Sequence, residues 1–253
     1  MREQFLCSLK SKFFKMEPVI SVRSATIYHD ETAHEVMKDI SFDIAQNEFV
    51  YLIGKTGSGK SSILRTLYAD LPFKKGSIKV VDYAIHKIKR KEVPYLRRKL
   101  GIIFQDFELL TDRTVKENLF FVMRATGWKK ESQMLEKVNS LLEQVGLSGT
   151  LNKMPHQLSG GEQQRLAIAR ALINDPEIIL ADEPTGNLDP TVARDILNLF
   201  VKINQSGTAV LMATHQHSFL KFHPSRVLYC EEHGIKDISK GQIIERMLLQ
   251  KNN

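Results

Sequence analysis

The octapeptide Gly54-Lys-Thr-Gly-Ser-Gly-Lys60-Ser61 constrains the fold more than any other stretch of the chain. It matches G-x-x-x-x-G-K-[ST], and its flanks supply the context that pattern needs. Before it, Glu48-Phe-Val-Tyr-Leu-Ile53 is an apolar run suited to a buried strand. After it, Ser62-Ile-Leu-Arg-Thr-Leu67 has the apolar spacing of a helix. In a strand–loop–helix of this kind the glycines let backbone N–H groups wrap phosphates. Lys60 reaches the outer phosphate oxygens, and the Ser61 hydroxyl is a ligand for Mg²⁺. Gly54, Lys55, Thr56, Gly57, Ser58, Gly59, Lys60, Ser61 and Ser62 are therefore the expected cradle for a nucleotide's phosphates.

The rest of the chain reads as strands alternating with helices, which predicts an α/β fold with a parallel sheet. Val19–Ile27, His34–Ile44 and Gly76–Ile85 pattern as strands, as do Leu100–Phe104, Glu177–Ala181 and Thr208–Ala213. Helical spacing runs from Thr114 to Gly146, with Leu135, Val138, Leu141, Leu142 and Val145 on one face, and again from Thr191 to Asn204. Parallel sheets bind ligands at the carboxyl ends of their strands. Gly54, Gln105, the pair Asp182 and Glu183, and His215 each follow a predicted strand, so they point to one site. Asp182 is suited to holding Mg²⁺, usually through water. Glu183 beside it is free to orient or deprotonate an attacking water, which favours hydrolysis over mere nucleotide binding. His215, at the same edge, becomes a candidate γ-phosphate ligand, whereas His217 and His223 have no such placement and read as surface residues.

A second anion-binding start follows about a hundred residues after the first. In Leu158-Ser-Gly-Gly-Glu-Gln-Gln-Arg165, Ser159 takes the N-cap position and Glu162 stands three residues on, the capping-box pattern that opens a helix running on to Leu172. Free N–H groups of a first turn carry positive partial charge, and glycines admit a phosphate close to the backbone.

Composition narrows the setting. The 253 residues include two cysteines, Cys7 and Cys230, which make no disulfide framework and have no metal-ligand spacing, as expected of a reducing cytoplasm. No apolar run approaches the ~18 residues of a membrane-spanning helix, so a membrane role requires a partner chain. The formal charge of +7 is concentrated between Lys74 and Lys99. A basic face suits nucleic acid or an anionic membrane surface, and it also suits plain solvation. The first fifteen residues, MREQFLCSLKSKFFK, are basic with scattered phenylalanines and lack a cleavage site, so they are not a signal peptide. A short interfacial helix, an unstructured tail and a folded start at Met16 are all compatible with them.

GKTGSGKS, Gln105, LSGGEQQR, IILADEP, Gly186-Asn-Leu-Asp189 and His215 occur together in the order and spacing of ATP-binding cassette (ABC) ATPases, which the chain resembles from about Val19 to Gly234. The resemblance implies a P-loop NTPase core with a mostly parallel sheet, an N-terminal antiparallel β subdomain and an α-helical subdomain at about 107–157. The whole forms a single domain over 17–240, with an N-terminal extension at 1–16 and a C-terminal helical tail at 241–253. It implies ATP and Mg²⁺ as cofactors, and a head-to-tail homodimer in which each signature helix covers the ATP on the other subunit's P-loop. Ser159, Gly160, Gly161 and Glu162 then serve the partner's nucleotide, and Asp189 links the two sites. Glu183, His215 and Gln105 form the catalytic set, Ser61, Gln105 and Asp182 the metal set, and Tyr28 stacks on adenine.

The run DEPTGNLDP resembles the group of lipoprotein-release, macrolide-export and cell-division ATPases. Lys91-Glu-Val-Pro-Tyr-Leu-Arg-Arg98 and Phe104-Gln-Asp-Phe-Glu-Leu-Leu-Thr-Asp-Arg-Thr-Val115 resemble the cell-division branch, the FtsE type. That branch implies an FtsX-like integral-membrane partner, a place on the cytoplasmic face of the inner membrane, and no nucleic acid. An exporter permease is the alternative partner. Asp82 where a glycine is common, Gln216 where an acid follows the histidine, and the N-terminal extension depart from the pattern.

Overall fold

The computed structural model describes residues 17–29, 34–231 and 233–244. Two sheets organise them. The smaller is antiparallel, in the order β2-β1-β4-β5, from β1 (Ile20–His29), β2 (His34–Ile44), β4 (Phe73–Val80) and β5 (Tyr83–Ala84). Ile20 pairs with Ile44 on one side and Val80 on the other. The larger sheet runs β10-β9-β3-β8-β7-β6. Its parallel body comprises β3 (Phe49–Ile53), β8 (Ala209–Thr214), β7 (Ile178–Asp182), β6 (Leu100–Ile103) and β9 (Arg226–Glu231). Only β10 (Gly234–Ile238) is antiparallel, to β9.

Every residue of β3 and β8 is buried, which is why these strands read as unbroken apolar runs. The twofold alternation of β3 divides its side chains between two cores. Phe49, Tyr51 and Ile53 join a core with Phe120, Leu166 and Phe200. Val50 and Leu52 join another, with Ile20, Met37 and Leu64. The first packs α3 (Val115–Ala125), α4 (Glu131–Gln144), α5 (Gly160–Ala171) and α6 (Pro190–Gln205) on the large sheet. The second fills the space between the sheets around α1 (Lys60–Leu67). Between these helices, α2 (Val93–Arg98) precedes β6, and α7 (Phe219–Phe222) follows β8.

Three local departures from the sequence expectation have plain causes. The helical pattern of Thr114–Gly146 is two helices, broken where Gly127 takes φ 99°. The strand expected over Gly76–Ile85 divides at Val81, whose φ of 52° turns the chain beside Asp82. α2, β9 and β10 were not foreseen, because short runs mixed with charge carry little periodicity. Much of the basic 74–99 stretch is engaged. Lys79 pairs with Glu17 at 2.5 Å, Lys99 with Asp82 at 2.5 Å and Glu177 at 3.2 Å, and Arg97 with Asp70 at 3.4 Å. The Arg98 guanidinium lies 5.1 Å from the Tyr95 ring centroid. The backbone is helical over 240–244; the N-terminal extension and the rest of the C-terminal tail lie outside the described residues.

Candidate active site

The loop between β3 and α1 is built around glycines that nothing else can replace cheaply. A Cβ on Gly54 would come within 2.5 Å of Ser58 Oγ and 2.8 Å of the Cys230 carbonyl oxygen. Gly59 is the N-cap of α1 at φ 92°, and a Cβ there would lie 2.8 Å from Val36 Cγ1. The loop encloses Lys60, whose Nζ donates to the Gly54 carbonyl at 2.9 Å and the Lys55 carbonyl at 3.2 Å. Ser58 Oγ is buried with no protein partner. A concavity of about 510 Å³ lies over this loop, lined by Lys55–Ser62 together with Glu35, Val36 and His233.

The polar residues expected at the strands' carboxyl ends share one sheet edge here. β3, β6, β7 and β8 are parallel in one sheet, so their carboxyl ends share an edge. Asp182 closes β7, and Glu183 follows at φ 45°, a left-handed value that a non-glycine residue holds at some cost. Its N–H donates to the Ala213 carbonyl at 3.0 Å, which fixes the kink. The turned carboxylate meets His215 Nδ1 at 2.9 Å through Oε2 and Lys60 Nζ at 3.6 Å through Oε1. Asp182 Oδ1 is buried without a partner, and the nearby Ser61 side chain favours the charged form of the same carboxylate. Burial raises the Asp182 pKa above the usual carboxylate range, with the Glu183 charge adding to the rise, so a cation beside it relieves that cost. Gln105 is exposed past β6, and its Nε2 lies 3.7 Å from where a Cβ on Gly186 would stand, so it reaches the loop after Glu183.

The second anion-binding start forms as expected. Ser159 caps α5 in a full capping box: its Oγ accepts from Glu162 N–H, and its N–H donates to Glu162 Oε2 at 2.8 Å. These hydrogen bonds, the backbone one first, hold the Glu162 carboxyl below its usual range. Ser159 and Gly160 are exposed, and neither they, Gly161 nor Glu162 lines the concavity over this chain's P-loop. Asp189 caps α6 by accepting from Thr191 N at 3.0 Å and Val192 N at 3.2 Å. A Cβ on Gly161 would lie 2.6 Å from Val192 Cγ1, so the start of α5 abuts the start of α6. Gly161→Ala is expected to force these helices apart and cost about 1–3 kcal/mol, read as a drop in denaturant midpoint at unchanged slope. A midpoint equal to the parent's would show that the contact is slack.

Two expectations fare differently. Tyr28 is 8 % exposed, its hydroxyl donates to Glu35 Oε1 at 3.2 Å, and Lys74 Nζ lies 4.9 Å from its ring centroid. It does not line the concavity; Val36 and His233, which the sequence reading passed over, do. His223, read as a surface residue, is half-buried with its ring edge-on to Phe49 at 4.9 Å, and burial lowers its pKa. His217 is exposed as expected.

The family model described as ABC transporter matches residues 37–186. The cell division ATP-binding protein FtsE of Streptococcus pneumoniae strain D39 is 40% identical over 225 residues, 88% of this chain and 97% of that protein. FtsE of Mycobacterium tuberculosis strain H37Rv is 44% identical over 210 residues, 83% and 91% of the two chains. Among solved structures, the dimeric bacterial ABC transporter cassette MJ0796 superposes with a TM-score of 0.77 at 31% identity, covering 87% of this chain and 98% of the other. The same cassette in a post-hydrolysis dimer bound to ADP and Pi gives a TM-score of 0.76, again at 31% identity with 87% and 98% coverage.

Proposed function

This chain belongs to the ABC transporter family, and we propose that it is the ATP-binding and ATP-hydrolysing subunit of an FtsE-like membrane complex. One observation carries the chemistry: the Glu183 carboxylate is turned out of β7, fixed by His215, and set 3.6 Å from the P-loop lysine. Lys60 and the loop N–H groups hold the phosphates, and Glu183 orients and deprotonates the attacking water beside the γ-phosphate. His215 holds the Glu183 carboxylate through Nδ1; since that bond uses the Nδ1 proton, a γ-phosphate contact from Nε2 requires the ring to carry a proton on both nitrogens. Ser61, Asp182 and Gln105 fit a Mg²⁺ ion: Asp182 presents a buried oxygen without a partner, and Ser61 already faces it. Bound there, the ion would offset negative charge on the nucleotide's phosphates.

Exposure of Ser159, Gly160 and Asp189 outside the chain's own phosphate pocket supports a head-to-tail pair, in which the α5 start of one subunit completes the partner's site. A second concavity supports the membrane partner. About 480 Å³ in volume, it is floored by Leu100, Ile102, Phe104, Phe121 and Val122. Arg170 lines the same groove and donates to the carbonyls of Phe107 and Glu108, just beyond Gln105. A partner segment seated there touches the loop that carries Gln105. No described helix is long and apolar enough to cross a membrane, so this groove gives the chain its hold on an integral subunit. By the resemblance that subunit is FtsX-like, the complex sits on the cytoplasmic face of the inner membrane, and ATP-driven closure regulates cell-wall hydrolases during division.

Phe121, 48 % exposed, is the simplest handle. When the chain is purified with ATP from detergent-solubilised native membranes, an integral-membrane protein with one large extracytoplasmic domain is expected to accompany it. Phe121→Asp should lose that companion and keep its basal ATP turnover. Retention of the companion by Phe121→Asp would reject the groove, and a permease with export partners would favour the exporter reading, whose ATPases share DEPTGNLDP.

A further inference from the structure

The concavity over the P-loop is lined by the phosphate cradle and, from outside that loop, by Glu35, Val36 and His233. His233 stands in the turn between β9 and β10, far from the P-loop in sequence. Two hydrogen bonds fasten that turn to β2. Lys38 N–H donates to the His233 carbonyl at 2.7 Å, and the ring Nδ1 lies 3.0 Å from the Val36 carbonyl. A carbonyl only accepts, so Nδ1 carries the proton in that bond. The neutral ring then presents Nε2 as an acceptor. Its backbone is at φ 66°, where glycine sits without strain and histidine at some cost. A chain that places an oriented imidazole at such a position, on the wall of a nucleotide-sized hollow, gains something from the ring.

We infer that His233 is a specificity-determining contact for the nucleoside part of the bound nucleotide: Nε2 accepts a hydrogen bond from the exocyclic amine of adenine or from a ribose hydroxyl, beside the apolar wall of Val36. The inference rests on the reading of Gly54–Ser61 as a nucleotide phosphate cradle. A ligand whose phosphates fill that cradle has its nucleoside left to meet the remaining lining residues. Glu35 is less available, because it already accepts from the Tyr28 hydroxyl.

The test is isothermal calorimetry on the full chain with four probes: ATP, inosine triphosphate, which lacks the exocyclic amine, 2′-deoxy-ATP, which lacks one ribose hydroxyl, and inorganic tripolyphosphate, which has no nucleoside. His233→Asn is the variant of choice. Asparagine tolerates a left-handed backbone and can donate to the Val36 carbonyl in place of Nδ1, but has no group at Nε2. His233→Asn is expected to weaken ATP binding about five- to tenfold, the worth of one hydrogen bond, with tripolyphosphate affinity and melting temperature unchanged. If the amine is the donor, the parent prefers ATP to inosine triphosphate and the variant does not. If a ribose hydroxyl is the donor, both purines weaken together and 2′-deoxy-ATP shows the loss in the parent. Unchanged ATP affinity in His233→Asn overturns the inference. Equal weakening of ATP and tripolyphosphate also overturns it, since the turn then only shapes the phosphate loop. A parent chain that binds neither ATP nor tripolyphosphate overturns the phosphate-cradle reading itself.

Discussion

Glu183→Gln is expected to lower steady-state ATP turnover by about two to four orders of magnitude while ATP remains bound. The substitution keeps the size of the side chain and its place on the φ 45° turn. The amide can still meet His215 Nδ1 and lie near Lys60 Nζ, so the loop keeps its shape. It loses the ability to take a proton from water. It also loses a negative charge that stands 3.6 Å from the lysine meant for the γ-phosphate, and so a source of repulsion toward the nucleotide. ATP affinity should therefore be equal to or tighter than the parent's, and the unspent nucleotide should hold two chains together. Phosphate-release kinetics read the first effect, and size-exclusion chromatography with ATP reads the second as a species with the mass of two chains. Ordinary turnover in Glu183→Gln would assign water activation to another group, with His215 the nearest candidate.

The phosphate loop and catalytic edge were legible because their chemistry is local. Glycine, lysine and serine spacing defines a backbone path that few other sequences can follow, and β3, β7 and β8 are buried on both faces, so they appear as apolar runs ending in a polar residue. The capping box at Ser159 was equally plain, since Ser and Glu three apart satisfy each other's backbone donors within one turn. The part of the lining that comes from outside the P-loop was not legible. Val36 and His233 meet across nearly two hundred residues through the contact of β10 with β2, and no periodicity encodes that approach. Tyr28 looked like the adenine partner because it is an aromatic residue upstream of the loop. In the structure it is buried at the irregular end of β1, with Lys74 over its ring and its hydroxyl on Glu35. Asp82 had seemed a departure at a turn glycine, yet the left-handed residue is Val81 before it, and Asp82 serves as an ion partner for Lys99.

Lys60→Ala is expected to weaken ATP binding about a hundredfold or more, because charge-assisted bonds to phosphate are strong where the donor is shielded from water. Lys60 is 6 % exposed, and its ammonium is held over the loop by the Gly54 and Lys55 carbonyls, with Glu183 beyond. Removing it deletes the cation nearest the outer phosphates and leaves Glu183 facing them with only His215 for company, so loss of attraction and gain of repulsion act together. Two carbonyls also lose a donor, which confounds charge with loop shape. Lys60→Met restores the apolar stem without the ammonium, so it separates lost packing from the loss of the charged donor and its two carbonyl bonds. If the charge is what matters, calorimetry should find Lys60→Met nearly as weak as Lys60→Ala for both ATP and tripolyphosphate. That pattern differs from the one expected of His233→Asn, which spares tripolyphosphate, so the phosphate and nucleoside contacts can be assigned independently. Parent-like ATP affinity in Lys60→Met would remove Lys60 from the phosphate site and leave the backbone N–H groups of the loop to hold the nucleotide alone.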